Sequence, residues 1–93
     1  MHQEVKTNIF IHFFNMDYFN KDILLEIIRF EMPFGKYKGT ILCDLPISYL
    51  EWFKRKGGFP DGKLGMQLAT VYEIKLNGLD EIIFHLKKKL KKI

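Results

Sequence analysis

Apolar residues recur at helical spacing in four stretches of the chain, and most of these stretches carry their own stop signal. Ile23, Leu24, Ile27 and Ile28, extended by Phe30, mark a first helix over about residues 20–30. Asn20 or Asp17 caps it, and Asp22 and Glu26 occupy its earlier turns. Pro33 limits it, because the residue before a proline is pushed out of the helical region. Ile47, Leu50 and Phe53 mark a second helix, entered through Asp44-Leu45-Pro46 and stopped by Gly57-Gly58. Leu64, Leu68, Val71, Tyr72 and Leu76 trace a third, from the turn Phe59-Pro60-Asp61-Gly62 to Asn77-Gly78. The fourth sets Leu79, Ile82, Ile83, Leu86, Leu90 and Ile93 on one face, with Asp80 and Glu81 first and Lys87 to Lys92 last, an order that suits the helix dipole.

Two stretches break this period. Ile9-Phe10-Ile11-His12-Phe13-Phe14 is short and apolar, which suits a strand or a hydrophobic flap. In residues 32–43, Gly35 and Gly39 supply the positive φ of a tight reversal, and Thr40-Ile41-Leu42-Cys43 reads as a short strand. A two-stranded hairpin follows, with Lys36 and Lys38 near its tip. Gly65, early in the third helix, costs up to ~1 kcal/mol relative to alanine, so its use is a close backbone approach, with the hairpin as the expected neighbour. The pattern therefore predicts a mainly α fold with a small β-hairpin (α+β), about four helices packed around one core. Residues 1–16 form an N-terminal extension, and residues 17–93 a single helical domain with the hairpin near 32–43.

Composition supports a folded chain. Of 93 residues, 47% are hydrophobic and 15% aromatic, far from the signature of disorder. The single cysteine, Cys43, excludes an internal disulfide and a Cys-rich zinc site, and the default location is cytoplasmic. The 9–14 run is too short for a signal sequence and far below the ~20 residues of a membrane span, so a membrane partner is not expected. The net charge is +4, and it is uneven: residues 1–46 carry five Lys/Arg against six Asp/Glu, residues 47–93 ten against five. This balance is compatible with a polyanionic partner and equally with a solvated lysine coat.

No catalytic constellation is visible. The Gly35–Gly39 spacing lacks the Lys-Ser/Thr pair that a phosphate loop requires. His2, His12 and His85 are scattered, and Cys43, among Ile41, Leu42 and Leu45, reads as a small buried hydrophobe. The expectation is a non-enzyme with no cofactor, no metal and no small-molecule substrate. What remains is basic residues interleaved with rings: Lys36, Tyr37, Lys38, Lys54, Arg55 and Lys63, beside Tyr49, Trp52 and Phe59. Cations on phosphates and bases stacked on rings are what sequence-tolerant single-strand binding needs. Lys54, Arg55 and Lys56 also have a structural reading, since cations in a last turn complement the helix dipole. Trp52, Phe53 and Phe59 read as core, and Tyr37, between two lysines at a turn, as the surface ring.

Several blocks in order carry a resemblance: Met32-Pro33-Phe34-Gly35-Lys36-Tyr37-Lys38-Gly39, Asp44-Leu45-Pro46, Tyr49-Leu50-Glu51-Trp52-Phe53, Phe59-Pro60-Asp61-Gly62-Lys63-Leu64-Gly65, and Tyr72-Glu73-Ile74-Lys75-Leu76-Asn77-Gly78-Leu79. Over Met32 to Leu79 the chain resembles the small bacterial family known as putative quorum-sensing-regulated virulence factors, a label that refers to regulation and not to chemistry. The reversal, the Asp-Leu-Pro and the following Tyr-Leu-x-Trp helix are also similar to a module at the C-terminus of exodeoxyribonuclease X-like exonucleases, whose nuclease domain this chain lacks. That second similarity implies nucleic acid. The expected function is a non-enzymatic nucleic-acid-binding accessory module acting through Lys36, Tyr37, Lys38, Lys54, Arg55 and Lys63 on single strands. The alternative is a protein-interaction or self-associating homodimer module that uses residues 9–14 or the last helix.

Overall fold

Ile23, Leu24 and Ile27 are buried along one side of helix α1 (Lys21–Ile27) in the computed structural model, which describes residues 21–91 and side chains through residue 89. The N-terminal extension with its 9–14 strand or flap, the proposed caps at residues 17 and 20, the side chain of Leu90, and Ile93 lie outside what is described. Helix α1 stops earlier than its apolar pattern predicts. The Arg29 and Phe30 N–H groups both donate to the Glu26 carbonyl, at 3.0 and 2.8 Å, which tightens the last turn and leaves Phe30 exposed.

The hairpin expected near 32–43 is not formed as strands. Among the described residues there is one isolated antiparallel bridge, Glu31 to Ile41, and no named strand. The chain does reverse, held by Met32 N–H to the Thr40 carbonyl and Gly39 N–H to the Met32 carbonyl, both at 2.8 Å. Strand pairing ends there because Leu42, Cys43 and Leu45 are all buried, and a strand would turn alternate residues to solvent. Residues Leu42–Asp44 wind instead into a 3₁₀ turn that points these side chains inward.

Helix α2 (Ile47–Arg55) follows, with Pro46 in extended conformation at its N-cap and Leu50 and Phe53 buried. Helix α3 (Lys63–Leu76) is the central element, packed against α1, α2 and the 3₁₀ turn. Both α2 and α3 end in Schellman motifs. Gly58 N–H bonds the Phe53 carbonyl at 2.9 Å after Gly57 at φ 111°, and Leu79 N–H bonds the Ile74 carbonyl at 2.9 Å after Gly78 at φ 67°. Helix α4 (Asp80–Lys91) then lays Ile82 and Ile83 on the core. Gly65 is buried, and its close neighbour is the Pro60 backbone of the preceding turn, not the reversal at 32–43.

Among the described residues two polar side chains enter this core, and both have partners. The Thr70 hydroxyl donates to the Met66 carbonyl at 2.8 Å, and the Gln67 amide donates to the Glu26 carboxylate at 2.9 Å. Glu26 also accepts from Lys63 at 2.9 Å, tying α1 to α3. The Lys63 ammonium first and the Gln67 amide second hold the Glu26 carboxyl below the usual carboxylate range. A carboxyl depressed in the folded state contributes stability above its unfolded pKa, and that stability is lost as pH falls through the folded value. The urea midpoint of the wild type should therefore drop more steeply between pH 5 and pH 3 than that of Glu26→Gln. Equal slopes would show that the pair contributes nothing to the acid limb.

Candidate functional site

The residues at 48, 49, 52 and 55 share one face of α2, turned away from Leu50. Together with the reversal at 34–37 they enclose an open groove of about 470 Å³. Tyr49, Trp52 and Phe53 line it from the helix, and Phe34 and Tyr37 from the reversal. Lys36, Ser48 and Arg55 add its polar groups. The rings are in mutual contact: Tyr37 to Tyr49 at 4.6 Å between centroids, Tyr49 to Phe53 at 5.1 Å edge-on, and Trp52 to Phe53 at 5.1 Å edge-on. Tyr49 and Trp52 are nearly parallel, 3° apart in plane at 6.2 Å. Edge-to-face and offset contacts of this kind add about 0.5–1.5 kcal/mol each beyond area burial, so the floor is rigid. Burial first, and the Tyr37 phenol second, push the Tyr49 phenol above its ordinary value, and its ring is uncharged at neutral pH.

Two rings in the groove keep substantial free surface: Phe34, 45% exposed, and Trp52, 42% exposed. For Trp52 this overturns the core expectation. Two residues along a helix from Leu50, its side chain leaves the opposite side, and the small core is already filled by Leu42, Leu45, Leu50 and Leu68. Tyr37, expected at the surface, is instead half-buried against Tyr49. Phe53 is buried and Phe59 half-buried, as core residues should be.

The six basic and aromatic candidates separate into two sets. Lys36, Tyr37 and Arg55 line the groove, with the Lys36 ammonium 5.6 Å from the centre of the Tyr37 ring. Lys38 is exposed on the reversal but is not part of the lining. Lys54 lies over the Tyr72 ring, 5.0 Å from its centre, and Lys63 is bonded to Glu26. Phe34 and Ser48 are lining residues that sequence reasoning missed, and the exposure of Trp52 ran against its core reading. Their signal was present in part: 48, 49, 52 and 55 fall at helical spacing on the face opposite Leu50.

Cys43 is 2% exposed, and burial, with the neighbouring Asp44 charge, pushes its thiol up. A protonated buried thiol is a poor nucleophile. Among the described residues no group of three or more His, Cys, Asp or Glu side chains is placed to hold a metal ion. No helix of the described residues is long and apolar enough to cross a membrane.

Comparison with known proteins agrees with the sequence blocks. An uncharacterized protein, YpeB, of Escherichia coli strain K12 is 50% identical over 70 residues, which is 75% of this chain and 97% of the relative. YpeB of Escherichia coli O157:H7 matches with the same identity and coverage. No solved structure matches the chain. The family described as "Putative quorum-sensing-regulated virulence factor" matches residues 20–86, which takes in the reversal, the aromatic groove and most of α4. This chain belongs to the putative quorum-sensing-regulated virulence factor family.

Proposed function

We propose that the protein is a non-enzymatic module that binds single-stranded nucleic acid in the groove between α2 and the 34–37 reversal. One observation carries this reading: a tryptophan that is 42% exposed, with a tyrosine parallel to it, lines the same groove as two cations, Lys36 and Arg55. Every base has a π-face to stack and every nucleotide a phosphate to neutralise, so a ring next to a cation suits this ligand without selecting a sequence. A duplex is disfavoured because its base faces are already stacked on one another, out of reach of a ring in a cleft.

Fluorescence anisotropy of labelled single-stranded DNA and RNA across a salt series tests the reading, with wild type compared to Lys36→Glu/Arg55→Glu after both are shown to be folded. Binding that weakens linearly on a log–log salt plot, and falls at least tenfold in the double variant, is the expected result. Absence of binding at low salt would sink it. The better reading would then be a protein-interaction or self-associating module, for which the exposed Phe84 on α4 is the observation to pursue.

A further inference from the structure

We infer that the groove takes a single unpaired nucleotide of a strand, its base on Trp52 and its flanking phosphates on Lys36 and Arg55. The protein would thus engage loops, gaps and strand ends through a very short footprint. This rests on the nucleic-acid reading above and specifies how many nucleotides that site holds.

Three features lead to it. The first is size. At about 470 Å³ the groove is at the lower end of ligand-sized pockets, room for one base and its sugar rather than for the four or more nucleotides tracked by extended single-strand grooves. The second is the supply of stacking faces. Tyr37 is covered by Tyr49 and the Lys36 ammonium, Tyr49 is packed by Tyr37, Trp52 and Phe53, and Phe53 is buried. Trp52 also meets Tyr49 and Phe53 but stays 42% exposed, which makes it the platform, with Phe34 the other exposed ring in the groove.

The third is charge. A protein that follows a strand needs a stripe of cations, one for each phosphate it neutralises. Here Lys63, bonded to Glu26 across the α1–α3 contact, and Lys54, over Tyr72, both lie outside the groove lining. Lys36 and Arg55 are the cations that line the groove. Each phosphate neutralised on a single strand contributes about −0.7 to the slope of log affinity against log salt, so two contacts give about −1.4. All five of Lys36, Lys38, Lys54, Arg55 and Lys63 acting together would give about −3.5.

Because Trp52 is the only tryptophan of the chain, its fluorescence reports on the groove itself. The full chain is titrated with thymidine oligonucleotides from one to twelve residues. Expected are quenching on binding, affinity that rises to about the trinucleotide and then levels off, and a salt slope near −1.4. A hairpin with an unpaired loop competes and a blunt duplex does not. Labelled-oligonucleotide anisotropy then compares variants of confirmed fold. Trp52→Ala weakens binding between about 5-fold and 150-fold, Trp52→Phe less, and Arg55→Gln makes the slope shallower by about 0.7. A footprint of eight or more nucleotides, a slope near −3.5, or equal binding of duplex would overturn the single-nucleotide inference while leaving nucleic-acid binding intact. Thymidine monophosphate binding as tightly as the trinucleotide would assign the groove to a free nucleotide and overturn it as well. No quenching and no anisotropy change with any oligonucleotide would overturn both readings.

Discussion

Replacing Gly65 with alanine should destabilise the protein by about 3 kcal/mol, opposite in sign to the gain of up to ~1 kcal/mol that the same change gives at an ordinary helical glycine. A Cβ at Gly65 would overlap the carbonyl oxygen of Pro60 and lie 2.9 Å from its carbonyl carbon. Neither atom belongs to a flexible side chain that can swing aside. Pro60 is held by its own ring, and the turn around it is anchored by Phe59, whose ring contacts Phe53 at 6.0 Å and Tyr72 at 6.1 Å. Relieving the clash therefore means separating α3 from the turn that delivers it, or pulling Phe59 out of the ring array that continues into the groove. Urea unfolding should show a lower midpoint at unchanged slope, and the thermal midpoint should fall by about 10 °C or more. A Gly65→Ala variant as stable as wild type would mean that the 59–62 turn is free to shift.

Legibility in the sequence tracks how local each determinant is. The Schellman stops at Gly57-Gly58 and Asn77-Gly78 were readable because a helix cap is written within six consecutive residues. The burial of Leu50, Phe53, Leu68, Val71, Ile82 and Ile83 was readable from their spacing. The 32–43 stretch misled, because β-branched and apolar residues at 40–43 carry the composition of a strand while the burial of both Leu42 and Cys43 requires consecutive side chains to turn the same way. The charge at the site was only half readable. That Lys63 is already paired depends on Glu26, 37 positions away in sequence, and on a fold that brings α1 against α3. Gln67 meets Glu26 across 41 positions, a contact that no pattern within α3 announces. Trp52 shows a different limit. Large aromatics fill cores so often that composition argued for burial, yet its angular position relative to Leu50 placed it outside, and in this helix position outweighed composition.

That opposition within α2 makes Leu50 the second position where a large effect is expected. Leu50 is fully buried and packs α2 onto the core, whereas Lys36 and Arg55 lie on the exposed side of the groove that α2 helps to build. Leu50→Ala should cost about 2–5 kcal/mol, the transfer energy of the lost methyl groups plus that of a cavity the neighbouring Leu42, Leu45 and Leu68 cannot fully close. In a domain of this size that is a large share of a total stability of about 5–10 kcal/mol, so a measurable fraction of the chain is unfolded near physiological temperature. Lys36→Glu/Arg55→Glu, by contrast, alters exposed side chains and should change stability by no more than about 0.5 kcal/mol at each position. The comparison separates the two faces of one helix. If the groove is a binding site, Leu50→Ala should lose affinity only in proportion to its unfolded fraction and recover it on cooling, whereas the charge-reversed variant should stay folded and bind at least tenfold more weakly at every temperature. If Leu50→Ala were instead as stable as wild type, α2 would not be seated on the core through Leu50, and the groove lining that depends on its orientation would lose its physical basis.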